Sequence, residues 1–174
     1  MPEMAELLHP ETYKRLIKEI GLDQTKGYKL SYLKNQTLGW IAEQRGIKTL
    51  QRAGYEIIDS KLPGNKGFDV TAIKRAAGRE IKEIMIVESK YSANGRVKLA
   101  RYKDADNLPF LQMDDQWIRG VTNKMGRSGN AKLRELGNLI SKNEGLVKRQ
   151  LNVLDASGKT KWFPNKLPKS EIFK

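Results

Sequence analysis

An α/β (α+β) domain built around a β-sheet covered on both faces is the fold class this chain predicts, and three observations predict it. The run Ile81 to Lys90 sets Ile84, Ile86, Glu88 and Lys90 on one face of a strand and Met85, Val87 and Ser89 on the other, so both faces stay apolar until charge appears near its end. Helical and strand patterns are interspersed, with helix, strand, strand, strand in the first half and two helices followed by strands in the second. The length, 174 residues, suits one main domain able to bury a core without covalent staples.

Residues 1–33 read as an N-terminal helical segment and 34–174 as the main domain. Within the first, residues 10–20 place Leu16, Ile17 and Ile20 on one stripe with Gly21 as a stop, and 21–32 form a connection rich in Gly, Lys and Tyr. A longer helix follows from Asn35 to Ala53, ended by Gly54, with Leu38, Ile41, Ala42, Leu50 and Ala53 toward the core and Glu43 on the flank. Gly39 and Gly46 cost this helix stability and point to close packing or a nearby ligand. Tyr55 to Asp59 is a strand, 62–67 a turn, and Phe68 to Ile73 a second strand, joined through the hairpin turn 75–80 to the run that ends at Lys90. Residues 91–108 are polar and carry Gly, Asn and Asp, as a loop over a site would. Helices return at 114–124 and 130–142, with Trp117 read as a core residue rather than a base-stacking surface. The strand 147–154 turns at Asp155 to Gly158 and pairs with 160–163, and the tail from Pro164 reads as irregular.

Composition narrows the chemistry. The chain has no Cys, which excludes disulfides, thiolate metal sites and thiol nucleophiles. Its one histidine, His9, precedes Pro10 and reads as a surface residue, so neither a two-histidine ribonuclease mechanism nor a zinc finger is available. No stretch is apolar enough to anchor in a membrane and the start does not look like a signal peptide, so export would require another part of a longer chain. The formal net charge of +13, from 33 Lys+Arg against 20 Asp+Glu, makes a positive field whose natural partner is a polyanion. Lys66, Lys98, Arg101, Lys124 and Arg127 are the candidate nucleic-acid contacts.

The candidate catalytic cluster is Asp69 with Glu88 and Lys90. Alternation puts Glu88 and Lys90 on one face, about 7 Å apart at Cβ. From the turn, Ile73 to Asp69 and Ile84 to Glu88 are equal steps, so antiparallel pairing would set Asp69 level with Glu88. Two carboxylates can hold a hard divalent cation, and an ammonium beside them can hold an attacking water and offset charge on a scissile phosphate.

Asp69 followed by Glu88-Ser89-Lys90 resembles the motif of the PD-(D/E)xK nuclease superfamily, over roughly residues 35–122. The resemblance implies a restriction-endonuclease-like core, a central mixed β-sheet flanked by helices on both faces. It also implies Glu43 as the helix-borne acid of the site, the Ser89 backbone carbonyl as a further metal ligand, and Mg²⁺ as cofactor, with Mn²⁺ or Zn²⁺ as alternatives. Glu88-Ser89-Lys90-Tyr91 and the later Leu111-Gln112-Met113-Asp114-Asp115-Gln116-Trp117-Ile118 are together similar to C-terminal toxin domains of bacterial contact-dependent growth inhibition and polymorphic toxin systems. Those domains often carry Gln-Met-Ser-x-x-Trp, and here Asp114 stands at the Ser, while Gln112 would support the loop over the site. The likeness implies an endonuclease acting on DNA, slightly favoured, or on tRNA. It would act in the cytoplasm of a target bacterium after delivery as the end of a larger secreted protein, with a cognate immunity protein as partner. A housekeeping restriction or junction-resolving nuclease, and a non-catalytic basic nucleic-acid-binding module, are the alternatives.

Overall fold

The computed structural model describes residues 30–63, 66–94, 97 and 99–164, together with Lys18. The expected helix at 10–20 and the tail beyond Pro164 lie outside them. The elements in chain order are α1 (Leu30–Arg52), β1 (Glu56–Ile58), β2 (Lys61–Leu62), β3 (Lys66–Gly67), β4 (Val70–Arg75), β5 (Ile81–Tyr91), β6 (Arg101–Lys103), β7 (Pro109–Leu111), α2 (Asp115–Gly126), α3 (Ala131–Lys142), a 3₁₀ turn (Glu144–Leu146), β8 (Val147–Leu154) and β9 (Thr160–Pro164).

The run that stays apolar on both faces becomes the middle of the sheet. Strand order is β1-β4-β5-β8-β9, with β5 antiparallel to β4 and parallel to β8, so the sheet is mixed. Ile84 and Ile86 pack with Phe68 and with Trp117, Ile118, Val121 and Met125 of α2 and Leu136 and Ile140 of α3. On the opposite face, Met85 and Val87 pack with Val70, Ala72 and Leu50 of α1. Helices therefore cover both faces, as a strand without a polar face requires.

α1 is tied down by close approach rather than by apolar area alone. A Cβ on Gly46 would lie 2.7 Å from Asn152 Nδ2, and that fully buried amide on β8 donates to the Ala42 carbonyl at 2.7 Å. Leu38, Ala42 and Leu50 are buried as expected, but Ile41 is only half-buried and Ala53 is exposed. The reason for the second is that the helix ends at Arg52 and the chain turns away through Gly54, at φ 81. Downstream, Asn130 caps α3, its side chain accepting from the backbone N–H groups of Lys132 and Leu133.

Two segments carry more order than their polarity suggests. The turn before Asp69 contains the two-residue strands β2 and β3, paired to each other. The expected loop 91–108 contains β6, which pairs antiparallel with β7 in a second small hairpin. Asp104 closes that hairpin by accepting from the N–H groups of Asp106 at 3.0 Å and Leu108 at 2.8 Å, a local bond pattern without a hydrophobic period to reveal it.

Candidate active site

Asp69 reaches its place through Gly67. This glycine has φ 105, and a Cβ on it would lie 2.6 Å from the Ser60 carbonyl oxygen, so only glycine lets the chain leave the β2–β3 hairpin there. The β4–β5 register is the one expected from counting inward: Ile73 faces Ile84 and Val70 faces Val87. One residue further sets Asp69 level with Glu88, just before β4 begins. Its Oδ2 accepts the Ser89 backbone N–H at 2.8 Å, which anchors the carboxylate on the end of β5.

Glu88 and Lys90 stand side by side on β5, with Lys90 Nζ 2.5 Å from Glu88 Oε1. Glu88 is 3% exposed, whereas the Lys90 side chain keeps 34% of its surface open. Burial pushes the Glu88 carboxyl up to about 7, and the Asp69 charge adds to the effect, against the lowering influence of Lys90 and of a hydrogen bond from Gln112. For Lys90, burial works to lower the ammonium, but the Glu88 charge and hydrogen bond outweigh it, with Asp69 and Tyr102 adding, and hold it above its ordinary value. Lys90 is thus kept as a cation beside a carboxylate that ionises reluctantly.

Gln112 supports the site from the β6–β7 hairpin. It is buried, hydrogen-bonds Glu88, donates its backbone N–H to the Ala100 carbonyl at 2.8 Å and accepts the Ala100 N–H on Oε1 at 3.5 Å. Asp114, two residues on, accepts the Leu111 N–H at 2.8 Å and so shapes the turn between β7 and α2.

Glu43 arrives from α1, on the face of the sheet to which Ser89 also points, the Ser89 hydroxyl lying 3.4 Å from Asn152 Nδ2. Its carboxylate is held by Lys61 at 2.7 Å. Burial raises the Glu43 carboxyl and Asp69 raises it further, while Lys61 opposes both, so Glu43 lies within electrostatic reach of Asp69. Asp69, Glu88, Ser89, Lys90 and Glu43 all line one cleft of about 780 Å³. Among the described residues, no three His, Cys, Asp or Glu side chains are gathered tightly enough to form a ready-made metal cage.

The expected basic contacts are not gathered in the cleft. Arg101 is exposed on β6, Lys124 is exposed in the last turn of α2 and Arg127 is exposed at its C-cap, and none of the three lines the cavity. Lys66 belongs to β3, with its side chain not described, and Lys98 lies outside the described residues. Trp117 is a core residue, in edge-to-face contact with Phe68 at 5.4 Å. Sequence reading passed over Lys61 and Tyr102: Lys61 follows Asp59-Ser60 in a stretch with no period, and Tyr102 sits in a hairpin too short to show one.

Compared with protein-family models, curated proteins and solved structures, the chain matches none. No helix among the described residues is long and apolar enough to cross a membrane.

Proposed function

We propose that this chain is a metal-dependent endonuclease of the PD-(D/E)xK type, hydrolysing nucleic-acid phosphodiester bonds in the cleft that Asp69, Glu88 and Lys90 line. The observation that carries the reading is the buried Glu88, pushed up by burial and by Asp69 and yet set 2.5 Å from the Lys90 ammonium. A buried carboxylate that its neighbour's charge raises further, in a cavity open to solvent, has the electrostatics of a site completed by a cation. The Ser89 peptide fits the same donor set. A residue in an extended strand sends its N–H and C=O to one edge, so the Ser89 carbonyl leaves β5 on the side where Asp69 accepts its N–H.

Asp69, Glu88 and the Ser89 carbonyl would hold the divalent ion, Mg²⁺ first by its preference for oxygen donors, and Glu43 would reach it through water from the flank. When bound, such an ion neutralises charge on the scissile phosphate. Lys90 stays protonated, so its ammonium donates to the attacking water and to a phosphate oxygen. Glu88 keeps that ammonium in place, and Gln112 keeps Glu88 in place. Asp69 is held by the Ser89 N–H and needs little reorganisation on binding. Water adds to phosphorus as the P–O bond to the leaving sugar breaks, giving a phosphomonoester and a hydroxyl.

The high positive charge supplies attraction for the substrate backbone, of DNA first and tRNA second. The biological role we favour is an antibacterial toxin domain, carried into a competitor's cytoplasm by a larger secreted protein and neutralised by an immunity protein. Its support is the Gln112-Met113 to Trp117 string, in which Asp114 accepts the Leu111 N–H as a serine hydroxyl also can. Plasmid DNA and total tRNA, each incubated with Mg²⁺ or with EDTA, test the activity. Metal-dependent cleavage of one that is lost in Asp69→Ala is expected, and cleavage of neither would end the enzymatic reading. Induced expression in a bacterium tests the role: loss of viability cured by Asp69→Ala is the toxin outcome.

A further inference from the structure

The β6–β7 hairpin carries a feature that the hydrolytic cluster does not use. Tyr102 and Phe110 sit directly opposite one another on its two strands, with ring centroids 5.6 Å apart and planes inclined by 24°. Phe110 packs against the main core, so the inner ring is backed by the protein body, while Tyr102 keeps 40% of its surface exposed. Leu108, at the turn of the same hairpin, is 61% exposed. The hairpin is fixed relative to the cleft by Gln112, which bonds both Ala100 and Glu88.

Charge around the ring favours a polyanion. Tyr102 is the smallest of the influences that raise Lys90, which puts the ring on the Lys90 side of the site, and Arg101 and Lys103 alternate with Tyr102 along β6, adding cations to the hairpin. The acidic residue nearest along the chain, Asp104, is engaged by Gln116 and by two backbone N–H groups. An aromatic face backed by a second ring, beside an ammonium that would meet a phosphate, has the makings of a nucleobase platform. Bases inside an intact duplex cannot reach such a face, because both of their own faces are already stacked.

We infer that the exposed Tyr102 ring, stacked on Phe110, is a docking platform for an unpaired nucleobase next to the phosphate at Lys90, so that the cleft takes single-stranded or locally opened nucleic acid in preference to intact duplex. The inference rests on the nuclease reading for its choice of ligand and narrows its substrate class. Stacking does not distinguish deoxyribose from ribose, so the platform serves DNA and RNA strands alike.

The test is binding, in EDTA so that nothing is cut. A short oligonucleotide carrying 2-aminopurine, in deoxyribo and ribo forms, single-stranded and as a blunt duplex, is titrated with wild type, Tyr102→Phe and Tyr102→Leu. Leucine keeps the hairpin's apolar packing on Phe110 and removes only the stacking ring. Wild type and Tyr102→Phe should bind the single strand and quench the probe, whereas Tyr102→Leu should lose the quenching and bind about tenfold more weakly, with duplex affinity unchanged. Equal weakening on strand and duplex, or no change on either, overturns the platform. The result stands apart from hydrolysis: quenching by Tyr102 without Mg²⁺-dependent cleavage would sink the nuclease reading alone, and cleavage with unaltered binding in Tyr102→Leu would sink the platform alone.

Discussion

Replacing Glu88 with Gln keeps the shape of the site and removes the charge that burial penalises. The Glu88 carboxyl is pushed from an ordinary 4.5 to about 7, which corresponds to a cost of about 3 kcal/mol for holding the carboxylate ionised in the folded protein. Because the folded value lies above the unfolded one, the wild type carries no penalty below pH 4.5, an increasing one between 4.5 and 7, and the full one above 7. Glu88→Gln carries none at any pH, so the stability difference between variant and wild type should rise in the variant's favour from acid to neutral pH. Its ceiling is about 3 kcal/mol. The attraction of Lys90 is already contained in that net shift, so losing it takes nothing further from the rise, which is expected at about 3 kcal/mol between acid and neutral pH. Urea unfolding of both proteins at pH 4 and pH 8 measures it, the double difference cancelling the groups they share. A difference that is flat with pH, or that moves against the variant as pH rises, would refute the claim that Glu88 is buried against its own charge. Cleavage should be lost at both pH values, since the donor set is broken.

Removing the Gln112 side-chain amide by Gln112→Leu takes away the smallest of the influences that lower Glu88, so the acidic limb of the pH–rate profile should move to higher pH, and amide exchange at Ala100, whose N–H the Gln112 Oε1 accepts, should quicken. Gly46→Ala should destabilise the fold by about 1 kcal/mol despite alanine's better helix propensity, because its Cβ meets a buried Asn152 amide that is held by the Ala42 carbonyl and has little room to give; thermal unfolding reports it. Gly39→Ala on the same helix meets nothing within 4 Å and should stabilise by about 0.5–1 kcal/mol in the same assay.

Sequence periodicity located β5 because burial on both faces leaves a simple mark, an unbroken apolar run. It also set the register across the hairpin, since equal steps inward from the turn bring Asp69 level with Glu88 once the strands pair. Glu88 and Lys90 were legible as neighbours because alternate residues of any strand share a face. The hairpin at 101–111 left no such mark: its strands are three residues each, and its order comes from the Asp104 turn, the Tyr102–Phe110 stack and the Gln112 bonds to Ala100. Lys61 was hidden for a similar reason, its pairing with Glu43 depending on how α1 lies across the sheet.

By itself, the order of residues determined the sheet covered on two faces, Glu88 and Lys90 at the end of its central strand with Asp69 level with Glu88 beside it, and a charge suited to a polyanion. These follow from local alternation and from composition, which need no knowledge of distant contacts. Only the tertiary structure decided that Glu88 is buried near Asp69, that Glu43 answers to Lys61, and that Tyr102 stacks on Phe110. Burial and the meeting of side chains distant along the chain depend on which helix packs on which face, and no local pattern in the sequence carries that information.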